Sequence, residues 1–222
     1  LDTVEDFTSL YSFNVFSQKK YPIFCFINND YNFLNREISW HMFQKYFSNV
    51  QIIKIPKINS LEEYTEFCIK NLYYVLPNYV ENILTLQPDG MLLKSGWEEY
   101  ILKNEFDLIG AKWMHQTQLQ VIDGHQKLTM PFPPVSGCNL GFSYRNVNKM
   151  RAISNNFSML NLTQVGDVNC PEDAFYSYLG FGSKICKLPS RDEMDQFSVD
   201  PLDKEAFLSK KSLGFHFFKK NS

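Results

Sequence analysis

Short apolar runs alternate with segments of helical period along the first half of the chain. Three of these runs are rich in β-branched or aromatic residues and are bounded by Asn, Asp, Pro or Gly, which is typical of buried strands. They are Ile23–Ile27, Gln51–Ile55 and Asn82–Leu86. Strands that alternate with helices indicate βαβ units, so the pattern predicts an α/β fold with a mostly parallel central sheet flanked by helices.

Two helices are predicted in the same half. Ser60 and Glu63 have the spacing of a capping box, and apolar residues then recur every three or four positions as far as Val75. A second helical pattern covers Val4–Phe16, and it makes Leu1–Thr3 the tail of a preceding strand.

The second half of the chain is less regular. Its pattern predicts a short helix, a strand, a hairpin around Asp123-Gly124, a second strand and a helix with Pro in its first turn. Outside the hairpin, these are Trp97–Lys103, Phe106–Ala111, Asn139–Tyr144 and the segment that opens at Cys170-Pro171-Glu172-Asp173. The chain has no internal repeat and no linker, so we expect a single domain over residues 1–222. Because the chain begins with Leu1 and not with Met, a second expectation is that this domain is one module of a longer protein.

Charge and cysteine content narrow the class of protein. The net charge of −2 provides no basic face, so no nucleic-acid partner is expected. The five cysteines are an odd number without CxxC spacing, which argues against disulfides or a zinc site and favours a cytoplasmic location. No apolar run is long enough to cross a bilayer. The lysine pairs at 210–211 and 219–220 allow at most a peripheral membrane contact, and a solvated basic tail is the alternative.

The turn Gln87-Pro88-Asp89-Gly90 is the first candidate for chemistry, because ligands of open α/β sheets bind beyond the carboxyl ends of the strands. A carboxylate at this position suits Mg²⁺ or Mn²⁺, which recruits substrate phosphates as further ligands. Gly90 allows a ligand to approach the backbone closely. The alternative is a structural Pro-Asp-Gly turn, which is common after a strand.

Glu172 and Asp173 are the second candidate. Acidic residues in the first turn of a helix complement its dipole and often have no other role. A carboxylate that faces a crevice at this position is instead able to deprotonate an attacking hydroxyl. Two further features have similar alternatives. Gly141 inside a strand indicates a close approach to a ligand or tight packing. His216 among phenylalanines is either a metal ligand or a hydrogen-bonded core residue.

Several strings occur in a fixed order and together resemble a family of uncharacterised bacterial and viral domains that are classed as glycosyltransferases of the GT-A type. In this sequence the strings are Leu86-Gln87-Pro88-Asp89-Gly90, Trp97 to Glu99, Asp107 to Trp113, Gly137 to Arg145, Pro171-Glu172-Asp173, Phe197 to Asp200 and Leu213-Gly214-Phe215-His216. The resemblance is most specific over residues 83–145. It implies a GT-A-like domain with a donor-binding half over residues 1–113 and an acceptor and catalytic half over residues 114–222.

The resemblance also implies roles for individual residues. Asp89 and His216 would hold a divalent cation, Mn²⁺ or Mg²⁺, with Gln87 in place of a first acid of the metal-binding turn. The donor nucleotide would contact the sequence Asp2-Thr3-Val4, taken as the end of the first strand, together with Gln87, Asp89 and Gly90. Residues of the acceptor and sugar pocket would be Trp113, Gly137, Asn139 and Gly141. Asp173, in its pair with Glu172, would act as the catalytic base, and Lys112 stands where the family usually has Pro.

The predicted function is therefore metal-dependent transfer of a hexose from a nucleotide sugar, a UDP-sugar, to a glycan or to a lipid-linked or protein-linked acceptor. Inversion with Asp173 as base is the predicted stereochemistry, although the fold also carries retaining enzymes. Two alternatives come from other classes. A binding module of the same fold would bind nucleotide sugar or glycan without turnover, and a metal-dependent hydrolase would cleave a glycan with no nucleotide donor.

Overall fold

The structure is a computed structural model of the 222-residue chain. It describes residues 4–16, 21–29, 45, 47–87, 90–112, 118–123, 126–131, 138–157, 172–177, 179–180, 185–199 and 211–216. For residues 4–9, 118–123, 126–131, 157 and 216 the description is limited to the backbone.

Strands and helices alternate along the described residues. The strands are β1 (Ile23–Asn28), β2 (Val50–Ile55), β3 (Asn82–Leu86), β4 (Gly90–Leu92), β5 (Leu108–Lys112), β6 (Gln118–Asp123), β7 (Gln126–Pro131), β8 (Cys138–Asn146), β9 (Ser198–Val199) and β10 (Gly214–His216). The helices are α1 (Val4–Phe16), α2 (Leu61–Glu66), α3 (Leu72–Val75), α4 (Trp97–Asn104), α5 (Val147–Phe157), α6 (Glu172–Ser177) and α7 (Arg191–Phe197). A π-helical segment, Phe67–Asn71, joins α2 to α3. The predicted helices over 4–16 and from residue 60, and the hairpin β6–β7, are confirmed.

The helix that follows Ser60 begins where its sequence predicts, but only half of the predicted capping box forms, because the Glu63 carboxylate accepts from the Asn59 amide at 2.6 Å and not from that of Ser60. The Ser60 hydroxyl oxygen accepts a hydrogen bond from the Glu63 amide at 3.1 Å, which satisfies one of the free amides of the first turn. Cys68 and Leu72 are buried as expected, but Leu61 and Val75 at the two ends are exposed. The π-helical segment between them has i→i+5 hydrogen bonds, so the apolar stripe does not continue at the spacing of an α-helix.

The described strands form four small sheets. Parallel pairing joins β1 to β2 and β9 to β10, whereas β8 is antiparallel to both β3 and β5. The α/β class is therefore confirmed, but one mostly parallel central sheet is not what these strands form. Part of the reason is the connection from β5 to β8. Its described part is the hairpin β6–β7 and not a crossover helix, so β8 returns in the opposite direction.

Two hydrophobic cores lie on the two faces of these strands. Core A contains residues of α3, α5 and α6, and core B contains residues of α1, α4 and α7. Successive strand residues alternate between the cores: Ile83 and Leu108 belong to core A, and Leu84 and Ile109 to core B. This alternation is the two-residue period of a strand that is covered on both faces. Each large apolar side chain so buried contributes roughly 1.5–3 kcal/mol.

Strands β2 and β3 have their carboxyl ends at the same end of the fold. Tyr64 lies in α2, shortly after β2, and its hydroxyl accepts a hydrogen bond at 2.6 Å from the side chain of Gln87, the residue that follows β3. Helices and turns that follow these strands therefore meet at one edge. Among the described residues, no helix combines the length and apolar character that a membrane crossing requires.

The contact between β5 and β8 depends on one glycine. A Cβ atom at Gly110 would overlap the carbonyl oxygen of Asn139, at the point where the register of the two strands shifts between Ile109 and Ala111. Glycine is thus required for the backbone of β5 to approach the segment of β8 that carries Asn139 and Gly141.

Candidate active site

The predicted turn after β3 is formed by its backbone. The Gly90 amide donates to the Gln87 carbonyl at 2.8 Å and closes the turn, while the Gln87 amide donates to the Gly141 carbonyl at 2.7 Å. A Cβ atom at Gly90 would lie 3.3 Å from the Gln87 and Gly141 carbonyls and from Phe142 Cβ, which is a tight contact. One backbone hydrogen bond therefore closes the turn, and a second holds it on β8. Pro88 and Asp89 lie outside the described residues.

The last described strand runs beside this turn. Strand β10 is antiparallel to β4, and its register pairs His216 with Gly90, Phe215 with Met91 and Gly214 with Leu92. Cα atoms of paired residues in an antiparallel sheet are about 4.5–5.5 Å apart. The backbone of His216 is consequently opposite Gly90, the residue that directly follows Asp89, although His216 and Gly90 are 126 positions apart in the sequence. This pairing brings together the two segments that were predicted to hold the metal.

Gly214 is necessary for that pairing. A Cβ atom at this position would overlap the ring of Phe142, and it would lie 2.7 Å from the carbonyl oxygen of Met91. Phe142 also stacks on Phe197 at the end of α7, with ring centroids 5.1 Å apart. Strand β10 therefore passes over Phe142 of β8 at Gly214, where β10 has no side chain.

The metal ligands themselves stay a prediction. Within the described side chains, no group of three His, Cys, Asp or Glu residues has the arrangement of a metal site. The side chains of Asp89 and His216 lie outside that part of the chain. A carboxylate oxygen suits Mg²⁺ and Mn²⁺, whereas an imidazole nitrogen suits transition metals. This pair of donors consequently fits Mn²⁺ better than Mg²⁺.

Glu172, predicted as a catalytic residue, forms a buried ion pair with Arg145. Its Oε1 accepts from Nη2 of Arg145 at 3.0 Å and its Oε2 from Nη1 at 3.5 Å, and the side chains are only 6% and 2% exposed. Burial by itself lowers the pKa of the Arg145 guanidinium, but the Glu172 carboxylate outweighs it and holds that pKa above its usual range. Both carboxylate oxygens are thus occupied. These contacts favour a structural role for Glu172, and its assignment as a catalytic residue stays a prediction.

Arg145 connects this ion pair to the sheet and to α3. Beyond Glu172, its guanidinium donates to the Tyr73 hydroxyl at 3.1 Å, to the Ser143 hydroxyl at 3.1 Å and to the Leu140 carbonyl at 3.3 Å. The sequence contained Arg145 only as the end of a string, and its role as the centre of a network was missed. A cation that ends an apolar strand buried on both faces requires a buried partner, and that signal was present.

Asp173 is the next residue along α6 and has a different environment. It is half-buried, and its Oδ1 accepts from the Ala174 amide at 2.8 Å. Burial, and secondly the charge of Asp173, raises the pKa of the Cys138 thiol to about 12, so the carboxylate lies near the first residue of β8. The structure therefore brings Asp173 close to the predicted acceptor segment while Glu172 faces Arg145.

Asn139 and Gly141 support one another inside β8. Asn139 is buried, and its Oδ1 accepts a hydrogen bond from the Gly141 amide at 3.0 Å. The Gly141 carbonyl accepts a separate hydrogen bond from the Gln87 amide. Leu140, where the family pattern has a glycine, is buried in core A. Of the other predicted pocket residues, Trp113 and Gly137 lie outside the described residues.

The predicted floor of the nucleotide site requires one correction. Asp2 and Thr3 lie outside the described residues, but Val4 is the first residue of α1 and not the end of a strand. The first described strand is β1, which ends at Asn28, because the helical pattern from Val4 prevails over an extended one.

A chain of polar contacts connects the turn to the ion pair. The Gln87 side chain donates to the Tyr64 hydroxyl. Burial, and then the charge of Glu172, raises the pKa values of the Tyr64 hydroxyl and the Cys68 thiol. Gln87, Tyr64, Cys68, Glu172 and Arg145 thus form one neighbourhood, in which the two candidate sites of the sequence meet.

Lys112 has a structural partner. Its ammonium nitrogen is 2.7 Å from Asp195 Oδ2, so a largely buried ion pair joins β5 to α7. Lys112 pairs in register with Cys138, at the same end of β8 as Asp173. This ion pair accounts for a lysine where the family pattern has Pro.

Comparison with known proteins gives one match. The model of the family described as "Protein of unknown function (DUF5672)" matches residues 48–216. That stretch runs from before β2 to the end of β10, so it contains the turn at 87–90, Arg145, the Glu172-Asp173 pair and His216. No curated protein matches the chain.

Proposed function

We propose that this chain, which belongs to the DUF5672 family, is a metal-dependent glycosyltransferase with a GT-A-like fold. It transfers a hexose from a nucleotide sugar, a UDP-sugar, to a hydroxyl of a glycan or of a lipid-linked or protein-linked acceptor. The observation that carries the proposal is the register of β10 on β4, which sets the backbone of His216 opposite Gly90, the last residue of the turn that follows β3. Two segments distant in sequence, each with one suitable ligand, are adjacent at the edge where α/β sheets bind ligands.

Asp89 and His216 are the residues that would hold Mn²⁺ in this proposal. A bound divalent cation offsets the negative charge of the departing nucleoside diphosphate. Gln87 has a separate role, because its amide donates to Gly141 and its side chain donates to Tyr64. The backbone amide keeps the turn on β8, and the neutral side chain binds Tyr64 without adding a second charge. The replacement of an acid by Gln87 is therefore compatible with a working metal site.

Asp173 accepts the proton in the proposed reaction. The acceptor oxygen forms a bond to the anomeric carbon of the sugar, the bond from that carbon to the diphosphate breaks, and the hydroxyl proton passes to the Asp173 carboxylate. One displacement of this kind inverts the anomeric configuration. Glu172 holds α6 against β8 through Arg145, and this leaves Asp173 as the acid of the pair for catalysis.

Release of nucleotide from a panel of nucleotide sugars with Mn²⁺ tests the proposal. We expect slow donor hydrolysis by the unmodified chain and none by Asp89→Ala, while Asp192→Asn, which changes an exposed carboxylate in α7, remains active. Asp173→Asn should keep donor binding and lose transfer by roughly 10²–10⁴-fold. A thermal shift with nucleoside diphosphate and Mn²⁺ is expected as well, because a ligand at 100 times its Kd stabilises by about 2.7 kcal/mol.

The same assay distinguishes the alternatives. A thermal shift without release of nucleotide from any donor would identify a binding module. Cleavage of a glycan with no nucleotide donor present would identify a hydrolase. The absence of both a shift and turnover would refute the proposal.

A further inference from the structure

The backbone of Gln87 is fixed by hydrogen bonds, so the orientation of its side chain is set by side-chain partners. Its backbone amide donates to the Gly141 carbonyl at 2.7 Å, and its carbonyl accepts from the Gly90 amide at 2.8 Å. The side-chain Nε2 donates to the Tyr64 hydroxyl of α2 at 2.6 Å. The two ends of a primary amide have nearly the same shape, but the NH2 group donates and the oxygen accepts. The partner of the NH2 group therefore decides where the oxygen lies.

A chain of hydrogen bonds continues from Tyr64 to Glu172. Tyr64 in α2 and Cys68 in the π-helical segment are four positions apart, a spacing that brings side chains together along a helix. The Tyr64 hydroxyl is hydrogen-bonded to the Cys68 thiol, and the thiol to the Glu172 carboxylate. Gln87, Tyr64, Cys68 and Arg145 also line one cavity of about 710 Å³, together with residues of β1 and β3. Side chains thus connect the turn after β3 to α6.

The charge of Glu172 sets the direction of every hydrogen bond in this chain. An ionised carboxylate only accepts, and that of Glu172 is paired with the Arg145 guanidinium at 3.0 Å. The Cys68 thiol therefore donates to Glu172, and its sulfur accepts from the Tyr64 hydroxyl. Because the Tyr64 proton is used in this way, its oxygen accepts, and only the NH2 end of Gln87 is able to donate to it. Hydrogen bonds aligned in one direction reinforce one another.

The two central groups of the chain keep their protons. Burial, and then the charge of Glu172, raises the pKa of the Cys68 thiol and the pKa of the Tyr64 hydroxyl above their ordinary values. Both groups are consequently protonated at neutral pH and able to donate. Cys68 is only 3% exposed, so water does not compete for its thiol. A buried, protonated thiol suits a hydrogen-bonding role better than a nucleophilic one.

We propose that Tyr64 and Cys68 are positioning residues, which hold the amide oxygen of Gln87, and not its NH2 group, toward the divalent cation of the turn. This role rests on the proposed function, because it concerns the cation that Asp89 and His216 would hold. The oxygen is the negative end of the amide dipole, so it stabilises a cation directly or through a water of hydration, whereas an NH2 group opposes one. An amide oriented in this way is able to stand where a metal-binding turn would otherwise have an acid.

Calorimetric titration of Mn²⁺ into the chain with UDP tests the proposal. Tyr64→Phe and Cys68→Ala break the chain and should weaken Mn²⁺ binding by about tenfold, as is usual when a residue that orients a metal-binding group is lost. Cys68→Ser keeps a donor and an acceptor and should bind within about twofold of the unmodified chain. Cys186→Ala is the matched control and should not alter Mn²⁺ binding. It removes another buried thiol of core A, one that lies near Asp107.

A change of Gln87 itself separates its orientation from general damage to the fold. Gln87→Glu places an oxygen at both ends of the side chain, so a cation no longer depends on which end faces it. In the Gln87→Glu background, Tyr64→Phe and Cys68→Ala should change Mn²⁺ binding by less than about twofold, which is the signature of coupled residues in a double-mutant cycle. A tenfold loss in both backgrounds would overturn the proposal, because the chain would then support the fold and not the orientation of Gln87.

The side-chain amide of Gln87 provides a second measurement that requires neither metal nor turnover. In NMR spectra of the metal-free chain, its two Nε2 protons should exchange with water at different rates, because one is donated to Tyr64. The difference should persist in Cys68→Ser and disappear in Tyr64→Phe. Equal exchange of the two protons in the unmodified chain, or equal Mn²⁺ binding by all variants, would overturn this inference and leave the transferase proposal standing. A held amide in a chain that binds no Mn²⁺ would overturn both.

Discussion

Different forces hold the amino end of α6 and the turn after β3, two segments that lie near one another through Tyr64 and Gln87. At α6, Glu172 forms a buried ion pair with Arg145, and the charge of each requires the other. At the turn, two backbone hydrogen bonds and the neutral contact of Gln87 with Tyr64 fix the chain. The first segment fails if one charge is removed, whereas the second tolerates changes of side chain and depends on glycine at positions where other strands approach.

The largest effect is expected from Glu172→Gln. Removing one partner of a buried ion pair leaves the Arg145 charge uncompensated, which typically costs about 3–5 kcal/mol of unfolding free energy. Asp173→Asn is the matched control, because it changes the neighbouring half-buried acid, and its loss should stay below about 1 kcal/mol. Urea denaturation measures both. Equal losses for the two variants would mean that the ion pair with Arg145 is not the main anchor of α6.

A double variant sharpens the same point. Arg145→Met combined with Glu172→Leu replaces both charges by apolar groups of similar size, which is often neutral or stabilising at buried sites. We expect the double variant to recover most of the stability lost in Glu172→Gln. If the double variant is as unstable as the single one, the contacts of Arg145 with Tyr73, Ser143 and Leu140 matter more than its charge pair.

Gly214→Ala is expected to have the next largest effect. The added methyl group overlaps the Phe142 ring, and overpacking of this kind costs about 1–3 kcal/mol. Because β10 then moves away from β4, binding of Mn²⁺ with nucleoside diphosphate should weaken as well. Gly90→Ala is the graded comparison, since its closest contacts are at 3.3 Å. Calorimetric titration that finds unchanged ligand binding in Gly214→Ala would argue against His216 as a metal ligand.

Tyr64→Phe is expected to have a smaller effect. It removes the acceptor of the Gln87 side chain, and the loss of one such hydrogen bond costs about 0.5–1.5 kcal/mol. Tyr79→Phe alters an exposed tyrosine on the wall of the cavity that β1 and β3 line, and it should leave the unfolding free energy unchanged. A loss in both variants would indicate a general effect of the hydroxyl group and not the specific contact with Gln87.

The smallest expected effect is the pH dependence of the difference in unfolding free energy between the unmodified chain and Tyr64→Phe. Burial, and then Glu172, holds the pKa of Tyr64 above its ordinary value of 10.0, so Tyr64 stays neutral in the folded protein when an unfolded tyrosine ionises. Its contribution is complete below pH 10 and declines as pH rises further, because ionisation then favours the unfolded chain. The stability advantage over Tyr64→Phe should therefore shrink above pH 10. An advantage that grows with pH would contradict the assigned environment of Tyr64.

Much of the fold followed from local patterns. The cap at Ser60, the helix from Val4 and the strands predicted over Ile23–Ile27, Gln51–Ile55 and Asn82–Leu86 are each specified by residues close in sequence, and each strand lies within one residue of its predicted bounds. The closure of the turn at Gln87–Gly90 was predictable for the same reason. Local pattern did not give the pairing of the strands, because strand direction depends on the connection between strands, as the hairpin between β5 and β8 illustrates.

The candidate site was only partly predictable. Asp89 was identified from the end of a strand and Asp173 from the first turn of a helix, and their metal-binding and catalytic roles stay predictions. The ion pair of Glu172 could not be predicted from the residues next to it, because its partner Arg145 lies 27 positions earlier in the chain. The network through Tyr64 and Cys68 likewise joins α2 and the π-helical segment to α6 across the fold.

The sequence by itself determined the class of fold, the approximate positions of most of its elements and the residue types available for chemistry. Periodicity, caps and turns act over a few residues, so they are legible without a structure. Only the tertiary structure decided that Glu172 is held by a buried cation, that β10 runs beside the turn after β3 and that residues of β1 and β3 line one cavity. Each of these depends on contacts between distant segments, because burial and register are properties of the packed chain.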